Sequence, residues 1–284
     1  MTGDFVLITD DFVLLNFPKT GSSFTREAIK RVYEQSDSRV MMTLEKFGIV
    51  KPRVMELMFP KIDEIHHAGI HDQHGTWRQI PPQFLDRQVI SITREPISRY
   101  HSAYRFGWWK HSPPGDPDEI RKQYPNFPDL SFTQYFEMAS GFAVRDRLKG
   151  ITPKIQLGLH SIQFIQFYFR DPDKTLRIID DEYIDQKKYL EDMADVHFME
   201  QTNLRHALKS YLLGIGRTAA ELNFLDVMKE LNTTAQSSKA ECCNEPALDK
   251  DLIENVLSRD RLIYKMFPHY HPGPSLTTTS PGNH

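Results

Sequence analysis

The sequence is poor in cysteine. Only Cys242 and Cys243 occur among 284 residues, and they are adjacent. Neighbouring cysteines rarely bond to each other, because disulfide geometry is restrictive. No disulfide framework is expected, which fits a reducing compartment. Long apolar runs are missing as well. No stretch approaches the ~20 residues a membrane helix needs, and Met1-Thr2-Gly3-Asp4 has neither a basic leader nor a long apolar run behind it. The expectation is a soluble, cytoplasmic chain without a membrane span. Nor does one sign of charge dominate: 35 Lys and Arg stand against 38 Asp and Glu, a net charge of -3. Bulk charge therefore does not mark a partner of nucleic acid or anionic membrane. No internal repeat is visible. The stretch from His271 to His284 is rich in Pro, Gly, Ser and Thr and lacks the apolar residues that repay ordering, so it reads as a flexible tail.

What is present is a chain with 39% hydrophobic residues, enough for a substantial core. Phe5–Thr9 and Phe12–Phe17 read as strands joined by a turn at Asp10-Asp11. Phe24, Ala28, Ile29, Val32 and Tyr33 then recur at helical spacing, with Ser22 or Ser23 suited to cap the helix. A second strand is expected over Ile62–His67, followed by a polar segment of helical character, and a third over Gln88–Thr93. A helix from Pro96 to about Gly107 follows, proline being favoured in a first turn. Helices over Ser131–Ser140 and Ile155–Phe169, strands over Thr175–Ile179 and Val196–Met199, and helices over Leu204–Leu213, Ala219–Leu231 and Ala247–Phe267 complete the reading. Ser112–Pro128, rich in Pro and Gly, reads as a long loop. Strands alternating with helices predict an α/β fold, a mostly parallel central sheet between helical layers. No linker divides the chain, so one domain over residues 1–270 is expected, with the tail at 271–284.

The loop after the second apolar run is Pro18-Lys19-Thr20-Gly21-Ser22-Ser23. In parallel α/β sheets, ligands sit beyond the carboxyl ends of strands. Gly21 permits a tight turn, so that successive N–H groups and a helix N-terminus can point at an anion. Lys19 adds a positive charge, and Thr20, Ser22 and Ser23 add hydroxyl donors. The loop is not the common nucleotide-triphosphatase pattern G-x-x-x-x-G-K-[ST], since its lysine precedes the glycine. The bland alternative is an ordinary strand-to-helix turn.

Directly after the Gln88–Thr93 run comes Arg94-Glu95-Pro96-Ile97-Ser98-Arg99-Tyr100-His101-Ser102-Ala103-Tyr104. Arg94 stands at a strand end, and Ser102 about two turns into the helix. An arginine fork and a hydroxyl suit a phosphate monoester. The bland alternative here is a helix start with a surface arginine.

Together, Pro-Lys-Thr-Gly-Ser-Ser after one strand and Arg-x-Pro-x-x-Arg-x-x-Ser-x-Tyr after another resemble the paired signature of the cytosolic and Golgi sulfotransferases. The resemblance implies a single three-layer αβα domain with a mostly parallel sheet, a P-loop-like sulfotransferase fold. It implies 3′-phosphoadenosine 5′-phosphosulfate (PAPS) as co-substrate and 3′-phosphoadenosine 5′-phosphate (PAP) as product, without a metal. Lys19, Thr20, Gly21, Ser22, Ser23 and Phe24 would hold the 5′ end, and Arg94 and Ser102 the 3′-phosphate. Asn232-Thr233-Thr234 resembles the family's Asn-x-Ser loop that closes over the cofactor, with threonine for serine. His67-Ala68-Gly69 looks like a segment of the carbohydrate enzymes, which favours a sugar hydroxyl as acceptor. Thr202 stands where the family's later strand often ends on an acidic residue.

Sulfuryl transfer resembles phosphoryl transfer, with in-line displacement and charge moving onto the leaving phosphate. Lys19 suits the leaving oxygen, and loop N–H groups suit the outer oxygens. A histidine base is expected. His66, His67, His71 and His74 lie close in sequence, with His67 the first choice and His71 the next. A zinc reading of these histidines lacks a completing Cys or carboxylate set. Tyr104, Phe106, Trp108 and Trp109 could wall an acceptor, with core packing the better reading for at least half of them. Two rivals stay open: an ATP-dependent small-molecule kinase, and a non-catalytic module that binds the adenosine bisphosphate.

Overall fold

The computed structural model describes residues 6–36, 43–44, 47, 49–50, 53–57, 59–60, 71–72, 74–229 and 249–272. The expected strand at Ile62–His67, the Asn232-Thr233-Thr234 loop, both cysteines and most of the 271–284 tail lie outside the described residues. The chain is mixed α/β and divides into two compact units, residues 1–94 with 194–238 and residues 95–193 with 239–284.

The first unit is built on a five-stranded sheet. Its strands are β1 (Val6–Thr9), β2 (Phe12–Leu15), β3 (Val54–Leu57), β6 (Gln88–Thr93) and β7 (Val196–Glu200), in the order β3-β1-β2-β6-β7. A separate antiparallel pair joins β4 (Phe59–Pro60) to β5 (His71–Asp72). The sheet is parallel through β2, β6 and β7, with Leu14 opposite Ile90 and Ile90 opposite His197. It is antiparallel across β3, β1 and β2. The antiparallel pairing of β1 with β2 follows from chain length, since a two-residue turn can only reverse a strand. That turn is fastened by Thr9, whose Oγ1 accepts from the Phe12 N–H and donates to the Phe12 carbonyl, both at 3.0 Å.

Helix Ser22–Ser36 buries the five residues spaced for it, Phe24, Ala28, Ile29, Val32 and Tyr33. They pack on Leu7, Phe12, Leu14, Ile90 and Ile92 of the sheet, together with Leu204, Leu208 and Leu212 of helix Leu204–Gly214. Full burial of a side chain such as Ile29 or Val32 is worth about 1.5–3 kcal/mol. The helix begins at Ser22, so Ser22 and Ser23 occupy its first turn instead of capping it.

The second unit is helical. Helix Pro96–Phe106 starts where Glu95 accepts from the N–H groups of Ile97 and Ser98, at 2.9 and 2.6 Å, and stops at Gly107, whose φ is +69°. Two expectations are corrected here. Thr175–Ile179 is not a strand: a helix spans Pro172–Ile178. Asp171 accepts from the Lys174 N–H at 3.0 Å and Pro172 fills the first helical position, so cap chemistry outweighs the β-branched run. Ser112–Pro128 is not all loop, because helix Pro117–Gln123 lies within it, capped by Asp116 with Pro117 at its start. Two expected helices are shorter than read. Ala219–Leu231 holds a helical turn at Ala219–Leu222 and a 3-10 turn at Asn223–Asp226, and Ile155–Phe169 begins only at Leu159. The Ser131–Ser140 helix instead runs on: Phe132–Met138 continues through a π-helical turn, Ala139–Ala143, into Val144–Leu148.

Candidate functional site

Parallel pairing of β2, β6 and β7 brings their carboxyl ends to one edge of the first unit. Three chain segments therefore meet there: the loop after β2, Arg94 after β6, and Gln201–Asn203 after β7.

The loop is tightly made. Asn16 is buried, and its carbonyl meets His74 Nδ1 at 2.9 Å. A carbonyl only accepts, so Nδ1 carries the proton of that bond. Lys19 has φ +66°, left-handed backbone that a residue with a Cβ seldom adopts. Gly21 follows at φ +95°. Thr20, between them, is fully buried and donates its hydroxyl to the Phe17 carbonyl at 2.8 Å. Thr20 therefore offers its side chain to the turn, and only its backbone N–H to a ligand. Ser22 and Phe24 are buried too, with Phe24 inside the core cluster. Lys19 and Ser23 are partly exposed.

Gly21 is required by packing as well as by φ. A Cβ at this position would lie 2.8 Å from Leu204 Cδ2 and 3.6 Å from Gln201 Cγ. The segment after β7 thus presses against the loop from the side. Arg94 fastens it from the next strand: Nη1 donates to the Lys19 carbonyl at 3.3 Å. The donor set fits an anionic phosphate group, with an ammonium, a guanidinium, a left-handed turn and the N-terminus of a fifteen-residue helix in one place.

The remaining candidates stand as follows. Ser102 is partly exposed on helix Pro96–Phe106, in the second unit. Arg99 faces inward: it is 3% exposed, donates to Gln163 Oε1 at 2.8 Å, and burial pulls its guanidinium down to about 10. Trp109 is buried and donates to the Tyr104 carbonyl, and Tyr104 donates to that of Leu130, whereas Phe106 and Trp108 are exposed. His67 lies outside the described residues, and His71 pairs its backbone within β5. The contributions of Gln201, Leu204 and Asn16 were not legible in the sequence, because they depend on which strands are neighbours. The strand β7 itself ends on Glu200, so an acidic residue closes it two positions before Thr202. Among the described residues, no group of three or more His, Cys, Asp or Glu is placed to hold a metal. Among them also, no helix is long and apolar enough to cross a membrane.

No family model and no curated protein matches the chain. Among solved structures it is similar to mouse sulfotransferase SULT7A1 complexed with PAP, at 14% sequence identity and a TM-score of 0.37, over 96% of this chain and 88% of that one.

Proposed function

We propose that the protein is a PAPS-dependent sulfotransferase acting on an acceptor hydroxyl, with a saccharide as the preferred acceptor class. One observation carries this reading. The motif loop at the carboxyl end of β2 turns through left-handed Lys19 and Gly21, and the arginine of the second motif bonds to the Lys19 carbonyl, which supports an anion-binding role for the loop.

When bound, PAPS supplies the sulfuryl group. The chain's own residues would hold it by charge and by backbone donors. The 5′ end falls to Lys19, to the N–H groups of Thr20, Gly21, Ser22 and Ser23, and to the Ser23 hydroxyl. The 3′-phosphate falls to Arg94 and Ser102. Phe24 supports the loop from the core, and Asn232, Thr233 and Thr234 are proposed to close over the nucleotide.

In the reaction the acceptor oxygen forms a bond to sulfur as the bond from sulfur to the bridging oxygen breaks. The electron pair stays on that oxygen, which becomes part of the phosphate. Lys19 Nζ neutralises the charge gathering there. The acceptor's proton goes to a histidine. His67 is the first candidate and His71 the second. His74 joins them because its bond to the Asn16 carbonyl holds its ring beside the loop. Residues 1–270 are taken as one catalytic domain.

Calorimetric titration with PAP in the absence of metal, beside a titration with ATP and magnesium, tests the proposal. Preference for PAP is the expected result. Preference for ATP and magnesium would replace it with a kinase.

A further inference from the structure

Helix Pro96–Phe106 carries Ser102, and one short stretch of chain holds that helix at two points within the second unit. The stretch is Asp260–Tyr264, where helix Lys250–Arg259 gives way to helix Arg261–Met266. Tyr264 donates its hydroxyl to Glu95 Oε1 at 2.7 Å. The same carboxylate caps the Ser102 helix by accepting the N–H groups of Ile97 and Ser98. Five residues further on, Tyr100 donates to Asp260 Oδ2 at 3.1 Å. Asp260 Oδ1 accepts the Ser161 N–H at 2.8 Å, which ties this pair to helix Leu159–Tyr168.

These bonds have little freedom to shift. Tyr100 and Asp260 are fully buried and Tyr264 nearly so, and a hydrogen bond to a buried carboxylate is among the stronger ones. Burial and the neighbouring Glu95 push the Tyr264 hydroxyl far above its ordinary range, so it stays a donor. Leu262 and Ile263, between the two tied residues, are buried and back the stretch with core packing. Gly158 carries no Cβ where Asp260 stands, so the carboxylate has no room on that side.

The consequence falls on Ser102. Two residues separate it from Tyr100, about 200° around the helix. With Tyr100 tied inward, Ser102 is turned to the other side, where it is partly exposed. A serine hydroxyl is too short to reach for its ligand. It stands roughly 3–4 Å from the helix axis, so a helix rotation of about 20° would carry it by about 1 Å, enough to break a hydrogen bond. One tie would leave a pivot; two ties, at Glu95 and Tyr100, block the rotation.

We propose that Asp260 and Tyr264 are positioning residues for recognition of the 3′-phosphate: by holding Tyr100 and Glu95 they fix the rotation of the helix that presents Ser102. The inference rests on the sulfotransferase reading and on Ser102 as a 3′-phosphate ligand.

The test compares calorimetric dissociation constants of PAP and 5′-AMP for the full chain. The proteins are the parent, Ser102→Ala, Tyr264→Phe, Tyr100→Phe, and each tyrosine variant combined with Ser102→Ala. Phenylalanine keeps the ring and removes only the hydroxyl. Each tyrosine variant is expected to weaken PAP by about threefold or more, to leave 5′-AMP unchanged, and to add nothing once Ser102 is alanine. Ile120→Val, buried in the same unit and taking no part in these bonds, is the control for lost stability alone: it should melt lower and keep the parent's preference for PAP. Parallel loss of both nucleotides would reduce the tyrosines to supports of the fold, and effects that add to that of Ser102→Ala would mean that they act elsewhere; either overturns the inference. A parent that prefers PAP to 5′-AMP, beside tyrosine variants that keep the preference, overturns the inference alone. A parent without the preference overturns the sulfotransferase reading, and the inference with it. The tyrosine variants are read separately, so if one fails to fold the other decides.

Discussion

Lys19 carries a full side chain where glycine would be the easier residue. Its φ of +66° costs a non-glycine residue about 1–3 kcal/mol, and such strain collects at functional sites. The strain and the charge can be separated. Lys19→Gly keeps the turn and removes the ammonium, so thermal stability should hold or rise slightly while transfer falls by about a hundredfold or more. A variant that melts lower yet keeps its turnover would show that the lysine serves the fold. Gly21→Ala has the opposite signature. Its Cβ would strike Leu204 at 2.8 Å and the backbone would be strained at φ +95°, so stability should fall by about 1–3 kcal/mol and PAP binding with it. A melting curve and a PAP titration of that variant check both. At this scale the sequence was informative about which residue types matter and less so about what their side chains do. Thr20 and Ser22 read as hydroxyl donors, yet both are buried and Thr20 spends its proton on Phe17. Direction is set by the turn's own dihedral angles, and spacing alone carries no record of it.

Elements explain why the second motif's helix sits where it does within its unit. Glu95 caps helix Pro96–Phe106 and accepts from the Tyr264 hydroxyl at 2.7 Å. One turn on, Tyr100 donates to Asp260 Oδ2 at 3.1 Å and stacks on His160, and Asp260 Oδ1 accepts from the Ser161 N–H at 2.8 Å. Gly158 has no Cβ because Asp260 occupies that space. Asp260 is wholly buried, and burial pushes its carboxyl up to about 6 from an ordinary value near 3.8. Protonation therefore favours the folded chain. That contribution is complete below about pH 4 and is lost as pH rises through about 6, a change on the order of 3 kcal/mol. Asp260→Asn should remove this dependence, so the variant gains on the parent in melting temperature between about pH 4 and pH 7. A constant difference across that range would contradict the assignment. Helices and strands with strong periodicity were legible in advance, among them Ser22–Ser36, Gln88–Thr93 and Val196–Glu200. Pro172–Ile178 was misread because its cap lies before the β-branched run, and the run alone looks like a strand. The helix at Pro117–Gln123 was hidden among prolines, although Asp116-Pro117 is itself a start signal.

For the molecule as a whole, the sheet-based unit carries Lys19 and Arg94, and the helical unit carries Ser102. The two motifs lie 75 residues apart from Lys19 to Arg94, and parallel pairing of β2 with β6 is what brings those ends together. Parallel pairing as such was expected from strands alternating with helices, but not which strands would be neighbours; the antiparallel β3 edge was not expected either, since Val54–Leu57 has too short an apolar pattern to stand out. If the nucleotide spans both motifs, Ser102→Ala should weaken PAP by about fivefold while leaving 5′-AMP unaffected, because only PAP carries the 3′-phosphate. The central claim is that this chain binds an adenosine bisphosphate through Lys19 and Arg94. Titration of PAP into the metal-free protein, with the Lys19→Ala and Arg94→Ala variants alongside, tests it most directly. The account predicts tight binding to the parent, preferred over ATP with magnesium, and loss in both variants. Binding of PAP that survives both substitutions, or no binding to the parent at all, would contradict it.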